Sequence, residues 1–290
     1  MMNLMFFKQK KYELAFIEAV QGSKLSDGKW IVHKVINPYV KEKWFADPFI
    51  LDYNDCEIIL LVEEMDFKIN RGRIAKLIID RNNYSIKELK ILLDLNTHLS
   101  FPAIERIGND VYVYPENSES GSLSIFKYDD QNDRLEFIST LISEPLTDAI
   151  MRTIDGSRYL FSTKKPTPNG ECLHIYKSAN DRFEDYQIVT FIDSSARSAG
   201  NWFFEDDSWI RPAQDCNGYY GIGLVFQKVI CERGKFKFIE VNRIKHPVGY
   251  DGLHTFNKYK EMCIIDYRKP VYPFIYYLCK SLIDIIYKKL

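Results

Sequence analysis

Trp44-Phe45-Ala46-Asp47-Pro48-Phe49-Ile50 sets one carboxylate, Asp47, at the mouth of an apolar run. A polar turn at Asn54 and Asp55 leads into Ile58-Ile59-Leu60-Leu61-Val62, so the segment reads as strand, turn, strand. Desolvating a lone carboxylate is costly, so Asp47 must be paired, hydrogen-bonded or functional. The outline recurs at Ser100-Phe101-Pro102-Ala103-Ile104, Asp148-Ala149-Ile150-Met151, Ala199-Gly200-Asn201-Trp202-Phe203 and Leu253-His254-Thr255-Phe256. From Asp47 through Ser100, Asp148, Gly200 and His254 the steps are 53, 48, 52 and 54 residues. A repeat of that length with strands inside it marks a propeller blade or an array unit.

Each unit continues with a polar turn and a second apolar strand: Ile58 to Val62, Val111 to Tyr114, Arg158 to Ser162, Trp209 to Arg211 and Met262 to Tyr267. Four units show a third strand, at Arg73 to Ile79, Leu123 to Tyr128, Leu173 to Lys177 and Gly223 to Val229. Weaker fourth strands follow at Lys90 to Leu93, Phe137 to Leu141, Gln187 to Phe191 and Phe236 to Val241. The fifth unit has two strands before Pro270. The alternating runs Tyr12 to Val20 and Lys29 to Ile36 supply the missing pair, although Glu13 to Val20 also fits a short helix. The expectation is an all-β, five-bladed β-propeller over residues 1–269, its last blade closed by the N-terminal strands. The alternative is an open array of β-sandwich units. Residues 270–290, rich in aromatic and aliphatic side chains but interrupted by Lys280, Asp284 and Lys288-Lys289, read as a C-terminal amphipathic helix. That helix either packs on the propeller or makes peripheral membrane contact through 271–290, being too short and charged to span a bilayer.

Composition narrows the function. Lys and Arg number 39 against 40 Asp and Glu, with no long basic run, which argues against nucleic acid as a partner. The six Cys lie far apart with no C-x-x-C, so the expectation is reduced, mostly packed thiols in a cytoplasmic protein, possessing no zinc or redox site. The five His are scattered, and neither a metal nor a cofactor is expected. The start has no apolar stretch of export-signal length. The 19 Tyr, 19 Phe and 4 Trp favour strands and suit stacking on sugar faces.

Strands one and two of a blade are antiparallel, so the start of one and the end of the other share a rim. That rim collects Asp47, Glu64, Ser100, Glu116, Asp148, Arg197, Arg211, Gln214, Asp215, His254 and Arg268, with Trp202 nearby. Carboxylates accept sugar hydroxyl protons and Arg donates to sugar or phosphate oxygens. Asp47 is a candidate general base, Glu116 a candidate acid because an apolar strand end raises a carboxyl pKa, and Asp148 a third carboxylate that tunes them. The competing structural reading gives Asp47 and Asp148 the task of bonding turn or neighbouring-blade backbone.

The blade starts resemble the five-bladed propellers of family 43 glycoside hydrolases and their furanosidase relatives. More closely, the chain resembles the N-terminal domain of the glucosamine inositolphosphorylceramide transferase family and its bacterial relatives from surface-glycan loci. The shared strings include Trp44-Phe45-Ala46-Asp47-Pro48-Phe49, Val62-Glu63-Glu64, His98-Leu99-Ser100-Phe101-Pro102 and Tyr114-Pro115-Glu116-Asn117. They continue through Arg197-Ser198-Ala199-Gly200, Arg211-Pro212-Ala213-Gln214-Asp215 and Gly252-Leu253-His254-Thr255-Phe256. By this resemblance Asp47 matches the hydrolases' general base and Asp148 their pKa-tuning Asp. Where those hydrolases carry an acidic general acid beside a Gly, this chain reads Ser198-Ala199-Gly200. Either Glu116 supplies the acid, or the leaving group is a phosphate that needs none and is met by Arg197 and Arg211. The resemblance thus implies a carbohydrate or an activated, phosphate-bearing sugar donor as partner. It leaves three functions: glycosyl transfer in surface-glycan biosynthesis, furanosidase-type hydrolysis, or non-catalytic glycan binding.

Overall fold

The computed structural model describes residues 10–179 and 182–270. Five four-stranded antiparallel sheets form the blades of a propeller. Blade one is β3 (Lys43–Tyr53), β4 (Glu57–Asp66), β5 (Arg71–Asp80) and β6 (Ile86–Leu93). Blade two is β7 (Ser100–Ile107), β8 (Asp110–Glu116), β9 (Leu123–Asp129) and β10 (Arg134–Ile142), and blade three β11 (Leu146–Ile154), β12 (Ser157–Lys164), β13 (Cys172–Ala179) and β14 (Arg182–Thr190). Blade four is β15 (Phe203–Glu205), β16 (Ser208–Asp215), β17 (Gly223–Glu232) and β18 (Lys235–Lys245). Blade five runs β19 (Gly252–Tyr259), β20 (Met262–Pro270), β1 (Lys10–Ala19) and β2 (Trp30–Lys34), so strands from both ends of the chain close the ring. The stretch Glu13 to Val20 is thus strand and not helix. The helix expected over 270–290 lies, from Val271 onward, outside the described residues. Among those residues no helix is long and apolar enough to cross a membrane.

Burial falls from the ring's centre outward, and this explains the sequence pattern. In β3 the run Phe45 to Leu51 is buried throughout, because neighbouring blades cover both faces of an inner strand. The outer strands show Phe137, Ile188 and Ile239 to solvent. β1 is third in its blade and still buried on both faces. Leu14 and Phe16 pack with Phe45, Ile58 and Leu60 of blade one, while Ala15 and Ile17 pack with Phe226 and Phe256 of blades four and five. Among the described cysteines none is paired, and Cys56 and Cys172 are exposed, so the expectation of packed thiols fails for those two. Each is at an edge or turn where nothing covers it.

The inner strands of blades one, two, three and five each carry a β-bulge near the start. Ala46 pairs with Glu63 but Phe49 with Leu61, which leaves Asp47-Pro48 as the bulge. The equivalents are Phe101-Pro102, Asp148-Ala149 and His254. Asp47, Phe101 and Asp148 take left-handed backbone, with φ of 49°, 46° and 46°. The counterpart of Asp47 in blade two is therefore Phe101, not Ser100. The motif Ser-Phe-Pro-Ala aligns with Ala-Asp-Pro-Phe once the bulge is placed. Blade four differs: its inner strand is reduced to Phe203–Glu205, preceded by an isolated Ser198–Ala213 bridge. Gly200 lets this segment approach blade five, since a Cβ there would lie 2.0 Å from the Phe256 carbonyl oxygen.

A closing strand buried on both faces contributes as much as a central one. Phe16→Ala should cost about 3–5 kcal/mol in urea unfolding, the range for a large-to-small change in a packed core. A cost below ~1 kcal/mol would show that β1 does not hold the ring.

Candidate active site

The bulges of four blades and the segment before β15 bring polar groups to one end of the central channel, where hydrogen bonds join them. The Asp47 N–H donates to Asp266 Oδ2 (3.0 Å), and the Phe101 N–H donates to Asp47 Oδ2 (3.1 Å). The Asp148 N–H donates to Glu116 Oε2 (3.1 Å). Arg197 Nε and Gln214 Nε2 of blade four donate to Asp148 Oδ2, each at 2.6 Å. The Phe256 N–H reaches the Ala199 carbonyl (2.8 Å), and Asn257 Nδ2 reaches the Pro48 carbonyl (2.9 Å).

Above this girdle opens a pocket of about 600 Å³. Asp47, Glu63, Ser100, Glu116, Arg197 and His254 supply its polar lining together with His98, and Tyr12, Trp44, Phe67 and Tyr220 an aromatic wall. A larger depression of about 830 Å³ lies at the opposite rim, at the Gly108–Asp110 and Asp129–Gln131 turns, away from the bulges at the inner-strand starts.

Electrostatics in the pocket follow from burial. Desolvation pushes the Asp47 carboxyl well above its ordinary value, with Glu63, Asp148 and Asp266 adding to the rise and Arg197 opposing it. Burial likewise raises Glu116, against the pull of Arg197, to about 7. Arg197 stays charged: burial disfavours it, but Asp148, Tyr220 and Glu116 outweigh that and hold it well above its usual value. Its Nε, Nη1 and Nη2 are occupied by Asp148, Asn169 and Glu116. For Asp266 burial pushes upward, yet His254 and the Asp47 N–H hold it below the ordinary carboxylate range. His254 lies between two carboxylates, Nδ1 at 2.7 Å from Asp266 and Nε2 at 3.4 Å from Asp47, with Tyr12 stacked on its ring at 4.7 Å.

Asp47, His254 and Asp266 bring ligand atoms within 4.8 Å of one another, the spacing of a metal site that scattered His residues in the sequence did not suggest. Yet Nδ1 and Asp266 already sit at hydrogen-bond distance, which a cation between them would not permit. A calcium site also takes 6–8 oxygens. The trio fits a hydrogen-bonded network.

Several residues expected at the rim lie elsewhere. Glu64 points away from the pocket into Lys43 and Arg73, because adjacent strand residues face opposite sides of the sheet; Glu63 takes the pocket side. Arg211 is fully buried behind the girdle, bonded to the Ala196 carbonyl and Gln227 and flanked by Phe191 and Phe238, so it meets no solute. Burial without a carboxylate partner lowers its pKa to about 9. Asp148 and Gln214 sit one layer below the pocket, bonded to each other. Asp215 pairs with Arg243, and Arg268 clamps Asp251 and the Tyr220 carbonyl, so both brace loops. Trp202 packs on Phe161 and Phe238 in the core. Tyr12 and His98 line the pocket with no role foreseen for either. Tyr12 sits on the closing strand, and the pairing of Tyr12 with Arg268 follows once β1 is docked beside β20.

Two measurements check the electrostatics. A carbon-13 titration should place the Glu116 carboxyl near 7, and Arg197→Gln should move it higher because the lowering cation is gone. Folded Glu116 holds its proton above the ordinary value of 4.5, so its contribution is complete below that pH. Relative to Glu116→Gln, the wild type should therefore lose stability as pH rises from 4.5 to about 7.

The family model described as "Glucosamine inositolphosphorylceramide transferase 1, N-terminal" matches residues 5–260. Relatives of that name from Oryza sativa subsp. japonica and Arabidopsis thaliana are 24% and 23% identical over 258 and 257 residues. The matches cover 82% and 81% of this chain but 34% and 33% of those proteins, so the chain spans about a third of their length. Among solved structures, CoXyl43, a GH43 β-xylosidase/α-arabinofuranosidase from a compost microbial metagenome in complex with xylotriose, aligns with a TM-score of 0.53 at 10% identity, covering 78% of this chain and 91% of that one. The GH43_1 enzyme from Xanthomonas citri, complexed with xylotriose, gives 0.54 at 9% identity, covering 78% and 87%. These two likenesses establish the shared propeller fold. The match over most of the chain establishes more: the protein belongs to the family defined by the N-terminal part of glucosamine inositolphosphorylceramide transferase 1.

Proposed function

We propose that the rim pocket holds a glycosyl unit and that Glu116 and Asp47 act as acid and base at its glycosidic bond. One observation carries this reading: carboxylates from two blades line an aromatic-walled pocket, and burial lifts both above their ordinary pKa. A carboxyl poised near 7 is protonated often enough at neutral pH to donate to a leaving oxygen. Aromatic faces suit sugar C–H surfaces, and the pocket's size suits a mono- or disaccharide unit.

The choice between a neutral glycoside and a phosphate-bearing donor rests on the cations. Four of the five Arg197 N–H groups are already bonded to Asp148, Asn169 and Glu116, and Arg211 is walled off, so among the described residues no cation lining the pocket lacks protein partners. That favours acid–base chemistry on a neutral glycosidic bond. Water as acceptor gives hydrolysis and a sugar hydroxyl gives transfer. The relatives' name favours transfer, in glycan assembly, although it belongs to much longer proteins.

A second reading, non-catalytic glycan binding, draws support from the same carboxylates. Asp47 and Glu116 accept backbone N–H groups of the next blade and so have structural work to do.

A panel of aryl furanosides and pyranosides, offered with and without a sugar acceptor, separates the readings. Asp47→Asn and Glu116→Gln should each lower kcat/KM by about 10²–10⁴ while the fold persists. Activity should fall on the alkaline side, through pH 7, as Glu116 loses its proton. Sugar binding with no turnover in the wild type would instead support the non-catalytic reading.

A further inference from the structure

Glu63 and His98 form a second polar feature of the pocket, outside the acid–base pair. Glu63 pairs with Ala46 across β3 and β4, which sets it beside the Asp47 bulge. It is 6% exposed, and its Oε1 lies 3.3 Å from His98 Nε2. Among the described residues no other hydrogen bond to the Glu63 side chain is present. Glu64, its neighbour on the opposite face, is neutralised by Lys43 and Arg73.

His98 is fixed from three directions. Its Nδ1 accepts the Gly72 N–H at 3.0 Å, its own N–H donates to Glu119 Oε2 at 2.9 Å, and the next residue, Leu99, donates to the Gly72 carbonyl at 3.0 Å. With Nδ1 occupied as acceptor, Nε2 carries the proton and points it at Glu63. Gly72 makes this closeness possible: a Cβ there would meet the Leu99 carbonyl at 2.3 Å, Glu63 Oε1 at 2.9 Å and His98 Cε1 at 2.9 Å. The arrangement orients the carboxylate of a side chain that lines the pocket.

A nearly buried carboxylate with a single side-chain donor is short of partners. Neighbouring hydroxyls of a sugar ring supply neutral donors at the spacing of a carboxylate. Resting on the reading of the pocket as a sugar site, we infer that Glu63, oriented by His98, receives adjacent hydroxyls of the bound sugar and sets which sugar is accepted. Glu63 is then a specificity-determining residue and His98 its positioning residue.

Isothermal titration of the wild type with the p-nitrophenyl glycosides of L-arabinofuranose, D-xylose, D-galactose and N-acetylglucosamine tests both layers. For a glycoside that binds, Glu63→Gln should weaken binding about 10- to 100-fold, the worth of a hydrogen bond to a charged group. His98→Gln should weaken it less. Deoxy analogues of the same glycoside should weaken binding to the wild type and leave Glu63→Gln unchanged, a comparison that does not depend on how well any variant folds. Wild-type affinity in Glu63→Gln, or equal deoxy penalties in both proteins, would overturn the assignment while leaving the sugar site standing. Failure of all four glycosides to bind the wild type would overturn the sugar site and the assignment together.

Discussion

The fold depends on one contact type: a backbone N–H, pushed out of register by a bulge, captured by a polar group of the preceding blade. Asp266 captures Asp47, Asp47 captures Phe101, and Glu116 captures Asp148. Each bulged residue has left its own ladder, so its N–H must find another acceptor in a dry channel. A carboxylate meets that need better than a neutral acceptor, because bonds to charged groups are shorter and stronger. The left-handed backbone at Asp47, Phe101 and Asp148 is the strain that this arrangement holds in place.

The same constraint produces the chemistry. To reach a neighbouring blade's amide, acidic side chains must stand at the channel mouth, desolvated and close to one another. At Asp47 and Glu116 burial and repulsion from neighbouring carboxylates then raise the pKa. The groups that join the blades are therefore the groups best placed to exchange protons with a ligand. Blade four interrupts the pattern and supplies a cation, Arg197, which opposes the rise at Asp47 and Glu116.

Much of this was legible in the sequence. Apolar runs spaced about fifty residues apart, and a fifth unit short of two strands, suffice to predict five blades and their closure. What escaped was parity. The bulge sets the match between blades, so Phe101 and not Ser100 is the counterpart of Asp47, and alternation along the unbulged β4 turns Glu63 and not Glu64 to the pocket. Arg211 looked available because a charged residue at a strand end is usually solvated; only packing reveals that it lies beneath the girdle. His98 was visible only as part of a string, since its role comes from Gly72, twenty-six residues earlier and adjacent only in the fold.

Tyr12 stacks on His254, yet the strand that carries it is the third of a blade whose first two strands are β19 and β20. On the ribosome that aromatic ring emerges before the strands it docks against. Blades one to four can form in order as they are made, whereas the pocket's wall waits for the final strands. Until then β1 exposes Leu14, Ala15, Phe16 and Ile17, a short sticky strand in search of an edge. The rim pocket is thus completed only when β19 and β20 have been made and β1 has docked beside them, after blades one to four.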